Sequence, residues 1–194
     1  MKVAMIGKGN VGSALGAGLK RAGHEVKFGH RDPKEPVLDA ARWGDIIILA
    51  VPYSPVKAVA KEMGSAADGK VLVDVTNALN ENGQLAVGFS TSAAEELQKL
   101  LPKARIVKAF NTVFAQNQST GKLAKEQLTA FIAGDDSKAK QTVMQLARDI
   151  GFEPVDTGSL AAARYLEPMA MLLIGLAFNL KMGPNIGFKL ARTT

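Results

Sequence analysis

Short apolar runs alternate with amphipathic segments along residues 3–157 of the chain. The run DIIILAV at 45–51 is followed by Pro52, and its continuous apolar character is typical of a parallel strand covered on both faces. Strands are also predicted at 3–6, 24–29, 70–75, 105–110, 128–134 and 152–157, and helices at 10–22, 55–63, 92–101 and 137–150. This alternation predicts an α/β fold with a Rossmann-type doubly wound, mainly parallel sheet.

A glycine-rich loop separates the first predicted strand from the first predicted helix. It reads Gly-Lys-Gly-Asn-Val-Gly, the GxGxxG pattern of dinucleotide-binding proteins. Gly7 permits the tight turn, Gly9 lets a pyrophosphate approach the backbone, and Gly12 lets helix and strand pack closely. The helix adds unpaired N–H groups and a positive dipole end. We predict a dinucleotide site, with a purely structural glycine turn as the alternative. Its candidate residues are Gly7, Lys8, Gly9, Asn10, Val11 and Gly12.

Composition and charge exclude several classes of protein. The chain has no cysteine, so it can form neither disulfides nor thiolate metal sites. Its net charge of +6 comes from 24 scattered lysines and arginines, so nucleic acid is not an expected partner. A solvated surface or the steering of anionic cofactors explains the charge. The apolar run after Met1 is too short for a signal peptide, so we expect a cytoplasmic protein. The Asn117 sequon is then an ordinary surface turn.

The carboxyl ends of the predicted strands are where ligands of such sheets lie, at the topological switch point. These ends carry small, apolar and neutral polar residues. A single asparagine at a strand end is more simply a turn cap, but three strand ends that converge on one crevice favour a site. The candidate residues are Ala50, Val51, Pro52 and Tyr53 after the third strand, Asn77 and Ala78 after the fourth, and Asn111 and Thr112 after the fifth.

Six short motifs together resemble one family of enzymes. They are GKGNVGSALG at 7–16, FGHRDP at 28–33, LAVPYSP at 49–55, VDVTNAL at 73–79, KAFNT at 108–112 and GPNIGFK at 183–189. Over nearly its whole length the chain resembles the NADPH-dependent reductases of the 8-hydroxy-5-deazaflavin coenzyme F-420. The same pattern is similar to the cytosolic NADPH-oxidising domain of the six-transmembrane ferric reductases, which pass hydride to a flavin. The resemblance implies an NADP-dependent oxidoreductase with deazaflavin F-420 or a flavin as its acceptor.

The residues after the second strand bear on the choice between NADP(H) and NAD(H). Asp32 stands about 20 residues past the last loop glycine, where NAD enzymes usually bind the ribose with an acidic residue. The strand is predicted to end earlier, so His30 and Arg31 meet the ribose first, and Asp32 with Pro33 begins the next helix. In the resembled family an arginine here grips the 2′-phosphate, and His30 or Lys34 can add a second donor. NADP(H) is favoured, and NAD(H) stays open.

Side chains for acid–base or metal chemistry are scarce. His24 is expected on the surface and His30 beside the ribose, and the sequence has no catalytic triad, HExxH motif or carboxylate cluster. We therefore predict no catalytic residue and no metal site, which suits direct hydride transfer between two stacked rings. A hydroxy-acid dehydrogenase needs a general acid and a large helical domain, so it is disfavoured. The alternative class is a redox sensor or regulatory protein that binds NADPH without turnover.

The C-terminal part of the chain is predicted to be an appendage. With 194 residues, 47% of them apolar, the chain exceeds one average domain slightly. We expect a dinucleotide-binding domain at 1–159 and a helix with a turn-rich tail at 160–194. The apolar stretch 166–180 is too short to span a bilayer and is read as a buried helix. It completes the core, or it forms a homodimer seam or a wall of the acceptor pocket, and 183–188 is expected to close over that pocket.

Overall fold

The computed structural model describes residues 1–193 and contains one seven-stranded sheet and one small hairpin. The strands are β1 (Lys2–Ile6), β2 (Glu25–Gly29), β3 (Ile46–Leu49), β4 (Val71–Asp74), β5 (Arg105–Lys108), β6 (Lys122–Leu123), β7 (Glu126–Gln127), β8 (Thr129–Gly134) and β9 (Glu153–Asp156). The order in the sheet is β2-β1-β3-β4-β5-β8-β9, and β6 pairs with β7 in the hairpin. The predicted Rossmann-type, mainly parallel sheet is confirmed.

Helices cover both faces of the sheet. They are α1 (Asn10–Arg21), α2 (Val37–Trp43), α3 (Val56–Met63), α4 (Ala93–Leu100), α5 (Ala115–Gln118), α6 (Ser137–Ile150) and α7 (Ala163–Ile174), with 3-10 turns at Gly64–Ala67 and Leu160–Ala162. Apolar side chains of α1 and α6 pack on one face, and those of α2, α3 and α4 on the other. Because each face is covered, β3 is buried along its whole length, as its continuous apolar run predicts.

The first turn of the chain lies at the topological switch point. β1 has β2 on one side and β3 on the other, and both neighbours run parallel to it. The connection that leaves β1 leads to β2 on one side, and the connection that leaves β3 leads to β4 on the other, so a crevice opens beyond the carboxyl ends of β1 and β3. The glycine loop occupies this position.

One pairing in the sheet departs from the parallel arrangement. β8 runs antiparallel to β5, with Val107 opposite Gly134, and β9 then runs parallel to β8. The connection from β5 to β8 holds only α5 and the hairpin, neither of which was predicted, instead of a long crossover helix. A parallel return needs such a crossover, so this connection brings the chain back antiparallel.

The C-terminal helix is only in part buried, which corrects the prediction of a buried helix at 166–180. Leu166 and Leu173 face the core, whereas Leu172 and Phe178 are more than half exposed. α7 continues as a π-helical turn over Gly175–Asn179. The whole helical segment Leu160–Asn179 has 20 residues, and its most apolar window has a mean hydropathy of 1.4 and is 39% buried. Its length and composition thus suffice for a membrane span, a weak indication because core helices meet the same test.

Two residues expected at the surface are covered instead. Asn117 lies in α5 and is buried, because α5 packs against α1 rather than forming an exposed turn. The imidazole of His24 is 9% exposed, and its Nε2 lies 3.0 Å from Oδ2 of Asp149 on α6. These tertiary contacts join segments that are far apart in sequence.

Candidate functional site

A cavity of about 730 Å³ opens beyond the carboxyl ends of β1, β2 and β3. Its wall is formed by the glycine loop and by the segments after β2 and β3. The start of α2 and parts of α3 complete it. The lining residues are Ile6, Gly7, Lys8, Gly9, Gly29, His30, Arg31, Val37, Ala50, Val51, Pro52, Ser54, Pro55, Val59 and Glu62. Three of the predicted groups of site residues therefore meet in one place.

The glycine loop has the geometry that a pyrophosphate requires. Gly7 has φ +109°, and a Cβ there would lie 2.3 Å from the carbonyl oxygen of Ala50. A Cβ on Gly12 would lie 2.2 Å from the carbonyl oxygen of Gly7, so both positions are closed to other residues. A Cβ on Gly9 would meet nothing within 4 Å. The open space at Gly9 lies at the start of α1, where Asn10 and Val11 begin the helix.

The N-terminus of α1 is free of side-chain caps. Gly9 occupies the cap position, and among residues 1–193 no side chain accepts a hydrogen bond from the first turn. N–H groups at the start of a helix need acceptors, and an anion such as a pyrophosphate supplies them. An uncapped helix end beside open space in a cavity therefore fits a dinucleotide.

The segment after β2 adds basic side chains to the wall of the cavity. His30 and Arg31 line it, whereas Lys34 is exposed and does not. Asp32 does not cap the next helix as predicted: its Oδ1 accepts a hydrogen bond of 2.9 Å from the N–H of Lys34, and α2 begins only at Val37. Asp32 thus closes a local turn, the usual role of an aspartate two residues before its donor.

Glu35 is a site residue that the sequence did not reveal. Its Oε2 accepts a hydrogen bond of 2.7 Å from Nζ of Lys8 and another from Nε2 of His30. The hydrogen bonds from Lys8 and then His30 hold the pKa of the Glu35 carboxyl below its ordinary value. No sequence pattern joins these residues, since Lys8 and Glu35 meet only when the loop after β2 folds back on the glycine loop.

The segment after β3 divides between the cavity and the core. Ala50, Val51 and Pro52 line the cavity. Tyr53 does not, because its hydroxyl donates a hydrogen bond of 2.5 Å to Oε2 of Glu96 on α4. Burial, followed by this hydrogen bond, raises the pKa of Tyr53 above its ordinary value. Tyr53 therefore links the segment after β3 to α4 through this hydrogen bond.

The residues after β4 and β5 meet one another but do not line the cavity. Nδ2 of Asn111 donates to Oδ1 of Asn77 at 2.9 Å and to the carbonyl oxygen of Leu166 at 2.8 Å, while Nδ2 of Asn77 donates to the carbonyl oxygen of Asn111 at 3.2 Å. Ala78 and Thr112 are almost wholly buried. Asn77 is partly exposed, so this pair reaches the surface through Asn77.

A buried ion-pair network lies under these two strand ends. Nζ of Lys108 lies 2.8 Å from Oδ2 of Asp74 and 2.8 Å from Oε1 of Glu167 on α7. Glu167 also accepts a hydrogen bond of 3.0 Å from the N–H of Ala93 at the start of α4. Burial alone lowers the pKa of an ammonium, but the two carboxylates outweigh it and raise the pKa of Lys108. The network joins β4, β5 and α7, and the only hint of it in the sequence is a lysine inside an apolar strand.

Comparison with known proteins agrees with this geometry. Residues 2–78 match the family described as NADP oxidoreductase, coenzyme F420-dependent. The F420-dependent NADP reductase of Methanocaldococcus jannaschii is 30% identical to the chain over 150 residues, which cover 74% of the chain and 66% of that protein. Residues 2–78 carry the domain of this family. The resemblance inferred from the six motifs is thereby confirmed.

Two further relatives extend the comparison. A crystal structure from Arthrobacter sp. FB24, provisionally assigned as an F420-dependent NADP reductase, superposes with a TM-score of 0.92 at 29% identity and covers 99% of this chain and 100% of that chain. The metalloreductase STEAP3 of Rattus norvegicus is 33% identical over 188 residues, which cover 89% of this chain but only 37% of that protein. The chain therefore spans 37% of the length of STEAP3 and 66% of the length of the Methanocaldococcus jannaschii reductase.

Proposed function

We propose that the chain is an NADP-dependent oxidoreductase that binds NADP(H) in the cavity and transfers a hydride between it and a deazaflavin or flavin-like acceptor. The observation that carries the proposal is one cavity that combines an anion-binding turn with basic side chains. Gly9 and the uncapped start of α1 provide the turn, and His30 and Arg31 line the same cavity. The match of residues 2–78 to the NADP oxidoreductase family supports the same cofactor.

The residues of the cavity divide the binding of the cofactor between them. The N–H groups at the start of α1 hold the pyrophosphate, with Gly9 giving it room. Arg31 binds the 2′-phosphate of the adenosine with its planar guanidinium, helped by His30 and Lys8. Ala50, Val51 and Pro52 remain for the nicotinamide half.

Hydride transfer at the nicotinamide requires the protein to position the rings and does not require it to transfer a proton. When bound, NADPH supplies the hydride, and the chain has to hold the donor and acceptor rings in contact and keep water out. Ala50, Val51 and Pro52 line the cavity with apolar side chains and main chain, which suits this half of the cofactor. A reaction without a general acid fits this wall.

The proposal also specifies which acceptor takes the hydride. One relative carries F420 dependence in its name, and another is named a metalloreductase, whose metal takes single electrons rather than a hydride. We propose the deazaflavin as the preferred acceptor, placed on the side of Asn77, where neutral amide groups can meet its ring. Substitution of Asn77 by alanine should then raise the KM for the acceptor and leave the Kd for NADPH nearly unchanged.

A turnover screen tests the function. The purified chain is mixed with NADPH and, in turn, deazaflavin F-420, FMN, a ferric chelate and a quinone, and the loss of NADPH absorbance is followed. We expect turnover with deazaflavin and stereospecific transfer of deuterium from one face of the nicotinamide C4 into the reduced product. Tight NADPH binding with no turnover on any acceptor would contradict the enzyme and favour the sensor.

A further inference from the structure

Lys8 and His30, two basic residues of the cavity, share one partner in the described structure. Nζ of Lys8 lies 2.7 Å from Oε2 of Glu35, and Nε2 of His30 bonds the same oxygen. Lys8 and His30 line the cavity, and Glu35 reaches them from outside its wall. The proposed binding of NADPH does not use this contact. It has to break the contact if both basic side chains are to reach the phosphate.

The contact imitates the binding of a phosphate oxygen. A single anionic oxygen held by an ammonium and an imidazole nitrogen is how basic side chains bind phosphate in proteins. Arg31 stands in the same cavity and makes no side-chain hydrogen bond within residues 1–193. The carboxylate of Glu35 thus holds two of the three cavity groups that suit a 2′-phosphate.

The main chain keeps Glu35 in this position while its side chain stays able to leave. The N–H of His30 donates to the carbonyl oxygen of Glu35 at 2.8 Å, and the N–H of Glu35 donates to that of Asp32 at 2.9 Å. These bonds fix the loop against the end of β2. The Glu35 side chain is 37% exposed, so its carboxylate can rotate into water without moving the loop.

We propose that Glu35 is a built-in competitor of the 2′-phosphate and thereby sets how strongly the chain prefers NADPH over NADH. The phosphate carries more negative charge than a carboxylate, so it displaces Glu35 from Lys8 and His30, but it binds less tightly than it would to free cations. NADH has no such phosphate and leaves the contact intact. Glu35 therefore lowers the affinity for NADPH alone. This inference rests on the proposed binding of NADPH.

The test compares the two cofactors in the variant Glu35→Gln by isothermal titration. Glutamine keeps the size of the side chain and removes the charge that holds Lys8 and His30. The ion pair with Lys8 is lost and the contact with His30 is weakened, so the Kd for NADPH should fall about three- to thirtyfold. The Kd for NADH should change less than about twofold. The NADPH preference should rise by the same factor.

Glu62→Gln is the matched control. Glu62 lines the same cavity, and its side chain makes no hydrogen bond or ion pair within residues 1–193. The variant removes the same charge without releasing Lys8 or His30. General electrostatics favours the more charged NADPH slightly, so the ratio should rise less than about twofold, well below the rise in Glu35→Gln. An equal rise of the ratio in both variants would reduce the effect to general electrostatics and overturn the proposal.

The remaining outcomes separate this inference from the proposed function. Weaker NADPH binding in Glu35→Gln would make Glu35 a residue that positions Lys8 and His30, and weaker NADH binding would make it a ribose ligand; either result rejects competition. An unchanged ratio in a protein that binds NADPH rejects the inference and leaves the function standing. If neither the unmutated chain nor the variant binds NADPH, both proposals fall. The NMR signal of the His30 ring gives a second readout: in the unmutated chain it should move with NADPH and stay with NADH.

Discussion

The ammonium of Lys108 lies 2.8 Å from the carboxylate of Glu167, and neither side chain is exposed to solvent. Lys108 ends β5 and Glu167 belongs to α7, so this ion pair joins the C-terminal helix to the carboxyl edge of the sheet. Asn111 makes a second link at the adjacent residue of α7 by donating to the carbonyl oxygen of Leu166. The helix is therefore held beside the strand ends by polar contacts that water cannot reach.

Removal of the lysine should destabilise the fold strongly. In Lys108→Met the carboxylates of Asp74 and Glu167 stay buried without their cation, and breaking such a pair costs about 3–5 kcal/mol. Lys140→Met is the control, because Lys140 pairs with Asp156, a partly exposed carboxylate, and should cost about 1 kcal/mol or less. Urea unfolding measures both values. Similar losses in the two variants would mean that the buried network contributes no more than a surface pair.

The pairing of Glu95 with Arg164 should give the fold an acid-sensitive component. The hydrogen bonds from Arg164 lower the pKa of Glu95 from its ordinary 4.5. A lowered pKa adds stability above the unfolded value, which is lost as the pH falls through the folded value. The difference in unfolding free energy between the unmutated chain and Arg164→Gln should thus be largest near about pH 7 and shrink towards about pH 3.

The double variant Glu95→Gln/Arg164→Gln checks the assignment to this pair. The stability difference between Glu95→Gln and the double variant should not depend on pH over the range where Glu95 titrates, because neither protein carries that carboxyl. A difference between the unmutated chain and Arg164→Gln that stays constant down to about pH 3 would mean that the pair adds no stability through the carboxylate charge.

The loop glycines should separate binding from folding. Gly9→Val places its side chain in open space with a backbone of φ −76°, which valine can adopt, so the fold should persist while the pyrophosphate is blocked. The affinity for NADPH should fall about a hundredfold or more. Gly12→Val instead meets the carbonyl oxygen of Gly7 and should cost about 1–3 kcal/mol of stability or more. Thermal unfolding and titration together distinguish them, and near-normal NADPH binding by Gly9→Val would show that the phosphates bind elsewhere.

The exposed face of α7 should support a homodimer. Tyr165 and Leu172 are 71% and 57% exposed and lie seven residues apart, two helical turns along one side. Burying such a stripe against a second copy removes apolar surface from water. Leu172→Asp should therefore convert a dimer to a monomer in sedimentation velocity, whereas Leu100→Asp, at the end of α4, should leave the dimer intact. An unmutated chain that sediments as a monomer at its highest soluble concentration rejects the prediction.

Local patterns predicted the scaffold, and long-range contacts produced the rest. The apolar periodicity of β3 and the spacing of Gly7, Gly9 and Gly12 are readable within a few residues, so the sheet and its loop were predictable. Lys8 and Glu35 are 27 residues apart, and their contact depends on how the loop after β2 folds. A sequence cannot give that distance.

The candidate residues of the later strands show the same limit. Asn77 and Asn111 were predicted to share a crevice, and they do bond each other, because the ends of parallel neighbouring strands meet at one edge. Thr112 follows directly in sequence but turns into the core. Which side of an irregular segment faces the cavity depends on packing by α7, a helix whose docking rests on Glu167 and not on any local periodicity.

Arg31 should decide between the two cofactors. One carboxylate oxygen of Asp32 is engaged by the N–H of Lys34, while Arg31 lines the cavity, so NADPH should bind more tightly than NADH. Arg31→Ser removes a hydrogen bond to a charged group, which is worth about 1.5–3 kcal/mol. The Kd for NADPH should therefore rise roughly ten- to a hundredfold, while the Kd for NADH should stay nearly unchanged. Lys34→Ser removes the same charge from outside the cavity and should have a small effect. If fluorescence titration gave equal affinities of the unmutated chain for NADPH and NADH, the preference for NADPH would be rejected and Asp32 would be the ribose ligand.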